Sequence, residues 1–145
     1  MAKRDFSYGI IPVRKSERGF EFLIINQSLG HWTFPKGHKE ANESDLEAAR
    51  RELWEETGID NVEVAFNIEF FAHYNLPANE GGFTDKEVKF FLGFVKDKVV
   101  KVPADFEHEI LEARWCSVKE AEVLLIRTEW KNLLEEANEY LLANF

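Results

Sequence analysis

The sequence predicts an α/β fold in which a mixed sheet is held between helices. Strand-like runs lie on both sides of a capped amphipathic helix, and a second amphipathic helix closes the chain. At 145 residues the chain can bury about two-thirds of its unfolded surface around one core. No internal repeat, low-complexity tract or linker interrupts it, so residues 1–145 are expected to form a single domain.

Phe6 to Val13 and Phe20 to Asn26 are rich in aromatic and branched residues and read as two strands around the charged turn Arg14 to Gly19. Leu29 to His38, with Gly30, Pro35 and Gly37, reads as a loop. Ser44-Asp45-Leu46-Glu47 then forms a capping box: the serine hydroxyl accepts from an early helix N–H, and the glutamate reaches back. Leu46, Ala49 and Leu53 follow at offsets of three and four, giving one apolar stripe. Gly58 stands where a left-handed closing residue is wanted, so this helix ends near Thr57.

Val62 to Tyr74 and Lys86 to Val95 read as longer strands. Between them, Pro77, Gly81 and Gly82 mark Leu76 to Asp85 as a loop of the length used for lids and ligand contacts. Ile110 to Ser117 reads as a further strand and Val118 to Ile126 as a short helix. Trp130 to Leu142 reads as the closing helix, with Leu133, Leu134, Ala137 and Leu141 inward.

The 13 Phe and 4 Trp supply ample core, and no stretch is long or apolar enough to cross a membrane as a helix. Met1-Ala2-Lys3-Arg4-Asp5 lacks the apolar segment and cleavage site of a signal peptide, so a cytoplasmic protein is expected. The lone Cys116, beside Trp115 on a strand, is expected to be a small core residue. The net charge of −9 argues against general nucleic-acid binding, which rests on Lys and Arg, yet permits a small anion complexed with metal.

Glu52, Glu55 and Glu56 fall at i, i+3 and i+4 in the last turns of the first helix. Like charges at that spacing repel by about 0.2–0.5 kcal/mol per pair. Each also opposes the helix dipole by about 0.3–1 kcal/mol. A hard divalent cation such as Mg²⁺, which prefers carboxylate and water oxygens, would offset both. A solvated acidic face, helped by Arg50, Arg51 and a Glu47–Arg51 pair, is the alternative reading.

The spacing from Gly37 through Glu43, Arg51, Glu52, Glu55 and Glu56 to Gly58 and Ile59 resembles the Nudix box at every constrained position. The resemblance implies an α/β/α sandwich with a loop–helix–loop catalytic motif and a Mg²⁺ site, with Mn²⁺ able to substitute. Such a site hydrolyses a nucleoside diphosphate linked to another moiety. The metal set it implies is Gly37, Glu52, Glu55 and Glu56, with Glu52 and Glu56 principal and Glu55 a further ligand or the base. Arg51 would hold a glutamate in place, a task suited to its planar fork.

Gly30-His31-Trp32-Thr33-Phe34-Pro35-Lys36-Gly37-His38 is similar to the segment preceding the box in the asymmetrical diadenosine tetraphosphate hydrolases of that family. Lys86 in a Lys-x-Val-x-Phe-Phe setting, and Glu107-His108 ahead of Arg114-Trp115, extend the likeness. It implies that His31, Lys36 and Lys86 contact a polyphosphate, that Trp32 is substrate-binding, and that aromatic residues hold a nucleobase. Tyr74 and Phe83 are candidates to sandwich an adenine because they flank the Leu76 to Asp85 loop, which departs from the family pattern in its length. Each also has an ordinary reading, as a loop histidine, solvated lysines or core aromatics. Glu107 and Glu109 compete as one more carboxylate, ligand or base, from outside the box.

The reaction implied is hydrolysis of diadenosine tetraphosphate to ATP and AMP by water. The expected partner is a small dinucleoside polyphosphate, with no stable nucleic-acid partner, no membrane, and the oligomeric state open. Other Nudix chemistries, on RNA 5′ ends, damaged nucleotides or nucleotide sugars, are the nearest rivals. A non-catalytic nucleotide-binding module on the same fold is the rival from a different class.

Overall fold

Strand β2 (Gly19–Asn26) sends Phe22 and Ile24 into one core and Leu23 into another, which requires a sheet covered on both faces. Strand β1 (Lys3–Ser16) alternates likewise, with Ile11 and Val13 on the first side and Ile10 on the second. The structure is a computed structural model that describes residues 3–28, 30–96 and 99–145.

β1 runs antiparallel to β2 and parallel to β6 (Phe83–Val95), and β6 is antiparallel to β5 (Val62–Pro77). The two-residue β3 (Trp32–Thr33) extends the sheet beyond β2, giving the order β3-β2-β1-β6-β5. The short β4 (Lys36–Gly37) pairs with β1, and β7 (Glu112–Cys116) with β2. Helix α1 (Asp45–Thr57) covers one face through Ala49 and Leu53. Helices α2 (Val118–Leu124) and α3 (Thr128–Asn144) cover the other, burying Ala121, Trp130, Leu133, Leu134, Ala137 and Leu141. This is the mixed sheet between helices that the sequence predicts.

The ends of α1 follow the capping chemistry read from the sequence. Ser44 Oγ accepts from the Glu47 N–H at 3.1 Å, and Glu47 Oε1 accepts from the Ser44 N–H at 2.9 Å. Gly58 closes the helix at φ 78°, donating its N–H to the Trp54 carbonyl. Cys116 is fully buried and its thiol is pushed up to about 11 by burial, as suits a core residue. Among the described residues, no helix is long and apolar enough to cross a membrane.

Two expectations need correction, and one element was not foreseen. Leu76 to Asp85 is not a long lid: β5 and β6 stay paired out to Pro77 and Phe83, leaving only residues 78–82 as the turn. Pro77 is accommodated because it ends the ladder, where its missing N–H costs no bond. The loop expected at Leu29 to His38 contains β3 and β4, each short because only two residues reach a neighbouring strand; its first residue, Leu29, and the terminal Met1 and Ala2 lie outside the described residues. A 3₁₀ segment at Ala104–Glu109, unassigned by the sequence, packs against α1 through Phe106 on Trp54, with ring centroids 6.3 Å apart.

A Cβ at position 58 would stand 1.9 Å from the Lys101 carbonyl oxygen, in addition to the cost of a left-handed residue. Gly58→Ala should therefore lower unfolding free energy by more than about 1 kcal/mol, read as an earlier urea midpoint at unchanged slope.

Candidate active site

Because β4 pairs with β1, and α1 packs across both, the Lys36-Gly37 backbone is pressed against the last turns of α1. The approach is so close that a Cβ on Gly37 would lie 2.2 Å from the Glu52 carboxyl carbon. The Lys36 backbone N–H donates to Glu56 Oε1 at 3.1 Å. Glu56 is buried, and burial together with the neighbouring Glu52 carboxylate raises its carboxyl well above the ordinary range. Glu52 is raised too, first by its own burial. With both carboxyls held up by burial and each facing the other's charge, ionising the two together is unfavourable unless a cation adds positive charge.

Arg51 organises the surrounding acids. Its Nε and Nη2 donate to Glu43 at 2.7 and 3.1 Å, and its Nη1 to Glu52 at 3.0 Å and Glu55 at 3.1 Å. Nη2 also reaches the His38 carbonyl at 2.7 Å, which ties the loop after β4 to the helix. The Glu43 hydrogen bonds are the largest cause of its raised pKa. The alternative Glu47–Arg51 pair is not formed, because the N-cap takes the Glu47 carboxylate.

These residues fit a hard cation on the chemistry of their donors. Glu52 and Glu56 offer only oxygen, beside the Gly37 backbone, in a pocket that disfavours two bare carboxylates. Among the described residues, no three acidic, imidazole or thiol side chains form a ready metal-binding group. Arg51 bonds both Glu52 and Glu55, but of the two it is Glu52 that lies against the Gly37 backbone, so Glu52 and Glu56 are the pair a cation would meet first.

Beside this pair opens a cleft of about 830 Å³. His31, Trp32, Lys36, Tyr74 and Lys86, all singled out from the sequence, line it. Lys36 thus touches the acidic pair with its backbone and the cleft with its side chain. Burial, then repulsion from Lys86, lowers the pKa of its ammonium. Tyr74 packs edge-on against Trp130 at 5.5 Å, and the Arg127 guanidinium lies 4.3 Å from its ring centroid. Glu129 anchors that guanidinium at 2.9 Å.

Other singled-out residues lie elsewhere. Phe83 is exposed, paired with Pro77 at the hairpin end, and does not line the cleft, so the structure does not bring it together with Tyr74 around a base. Continued strand pairing carries it away. Glu107 and Glu109 are exposed on the 3₁₀ segment, where Glu109 meets His108 at 3.8 Å. Among the described residues, neither forms a hydrogen bond or ion pair with the α1 carboxylates.

Arg127, Trp130 and Asp5 escaped sequence reasoning as site residues. Trp130 was visible only as the first residue of the closing helix, and the Arg127–Glu129 pair beside it was the available signal.

A family model described as NUDIX domain matches residues 3–137. The chain is 37% identical over 138 residues to the asymmetrical bis(5′-nucleosyl)-tetraphosphatase of Sus scrofa, covering 94% of this chain and 90% of that protein. It is 27% identical over 143 residues to the RNA pyrophosphohydrolase of Pelagibacter ubique (strain HTCC1062), covering 92% and 90%. Among solved structures, a C. elegans Ap4A hydrolase binary complex superposes with a TM-score of 0.82 at 27% identity, covering 97% of this chain and 99% of that one.

In chelator, the raised Glu56 pKa means that the folded chain keeps a proton the unfolded chain releases. That contribution to stability is full below the ordinary carboxylate range and is lost as pH rises through the raised value. The melting midpoint of Glu56→Gln should therefore gain on the wild type in EDTA as pH rises above the ordinary carboxylate range, while turnover with a divalent cation present falls by about a hundredfold. A midpoint difference that does not move with pH would contradict a protonated Glu56.

Proposed function

The chain belongs to the NUDIX family of hydrolases, and from that premise we propose that it cleaves dinucleoside polyphosphates, splitting diadenosine tetraphosphate into ATP and AMP with Mg²⁺, for which Mn²⁺ can substitute. The observation that carries this reading is Lys36: its backbone binds Glu56 while the residue also lines a cleft with a second lysine, Lys86, and the edge-on rings of Tyr74 and Trp130. Phosphates and a base would lie along one path from the acidic pair.

Enzymes of this family generally work with divalent metal ions. Here Glu52 and Glu56, beside Gly37, would hold the ion, which when bound lowers the pKa of a coordinated water and neutralises phosphate oxygens. Arg51 fixes Glu52 and Glu55 in orientation, so that the helix presents its carboxylates on one side. Lys36 and Lys86 stabilise charge developing on the leaving phosphate. Glu55 would take the proton of the attacking water, since it stands on α1 beside Glu52, whereas Glu107 and Glu109 are exposed on the 3₁₀ segment. Tyr74, with Arg127 over its face, offers a stacking platform to a nucleobase, worth about 1–3 kcal/mol.

The reading is of one catalytic domain spanning residues 1–145, a cytosolic enzyme acting on a small molecule, and the net charge of −9 is in keeping with the lack of a stable nucleic-acid partner. A second reading, removal of pyrophosphate from an RNA 5′ end, is favoured by the likeness to the Pelagibacter ubique protein.

Ion-exchange separation of products in Mg²⁺ decides between asymmetric and symmetric cleavage. Equal ATP and AMP are expected from diadenosine tetraphosphate, and ADP alone would exclude the asymmetric cut. Faster turnover of triphosphorylated RNA than of the dinucleotide in the same assay would instead select the second reading.

A further inference from the structure

We propose that Asp5 is a positioning residue that aims the Lys86 ammonium at the phosphates in the cleft. The inference rests on the polyphosphate reading of that cleft. Asp5 and Lys86 are register partners across the parallel β1/β6 pair, and their side chains meet at 3.0 Å. Only 14% of the Lys86 side chain is exposed, so the contact lies within the wall of the cleft.

The same carboxylate binds His38 Nε2, at 2.9 Å through Oδ1 and 3.1 Å through Oδ2. His38 follows Gly37, and its carbonyl accepts from Arg51. Asp5 therefore links the cleft lysine to the loop that Arg51 grips. Lys36 and Lys86 repel within one wall. A lysine on a flexible four-carbon stem relieves such repulsion by swinging into water unless a counter-charge holds it. Asp5 supplies that charge and occupies one of three ammonium donors, leaving two for phosphate oxygens.

Charge alone makes the opposite prediction. A carboxylate near a polyanion site weakens binding through space, so its removal should tighten binding if Asp5 does nothing else. Positioning makes removal weaken it.

The test is calorimetric binding of inorganic tripolyphosphate, in Mg²⁺, to the wild type and to Asp5→Ala, Asp5→Asn, Lys86→Ala and the Asp5→Ala/Lys86→Ala pair. Asp5→Ala should weaken binding about tenfold, and Asp5→Asn, which keeps an acceptor oxygen, should recover part of it. In the Lys86→Ala background, Asp5→Ala should add nothing. Tighter or unchanged binding by Asp5→Ala overturns the inference, as does an equal loss with and without Lys86, or no binding by the wild type. Failure of the dinucleotide reading is separately visible, as tripolyphosphate binding without turnover of diadenosine tetraphosphate.

Discussion

The site depends on one costly contact: the buried Glu56 carboxyl, facing Glu52 and capped by a single backbone N–H from Lys36. Neither burial nor a like-charged neighbour favours an ionised carboxyl, and both act here. The arrangement persists because the surrounding structure over-determines it. Leu53 roots the helix in the core, Arg51 braces Glu52, and a residue without a side chain lets β4 come close. A local arrangement that favours the proton, or a cation in its stead, is thus built from the same packing that holds the helix on the sheet.

That packing also explains the division of labour between the two faces. One face carries α1 and the acids; the other carries α2 and α3, with Trp130 and the adjoining Arg127 at the start of the last helix. Lys36 and Lys86 come from β4 and β6, which flank β1. The cleft is the place where those layers and the strand ends meet, so no single element supplies it.

What was legible in the sequence was whatever lies close along the chain. The Ser44–Glu47 capping box, the closure at Gly58 and the acid spacing of α1 are local patterns, and local chemistry sets their geometry. The strands were legible from their aromatic and branched content, as in the unbroken buried run Phe22 to Ile25 of β2. Phe83's place at the hairpin end, away from Tyr74, was not legible because nothing local says that β5 and β6 remain paired to Pro77. Asp5 and Arg127 were missed because each acquires its meaning from a distant partner, Lys86 in one case and Tyr74 in the other. Long-range register, not residue type, was the missing information.

The parallel pairing of β1 with β6, from Lys3 opposite Thr84 to Val13 opposite Phe94, has a bearing on how the molecule assembles. The acids of the site lie close along the chain, on α1 and the turn before it, although burying Glu56 also takes β4 and the sheet beneath the helix. The cationic half requires closure of a large chain loop, an entropically slow event that comes late in folding. In a nascent chain the helix bearing the acids would accordingly take shape before the wall that carries Lys86.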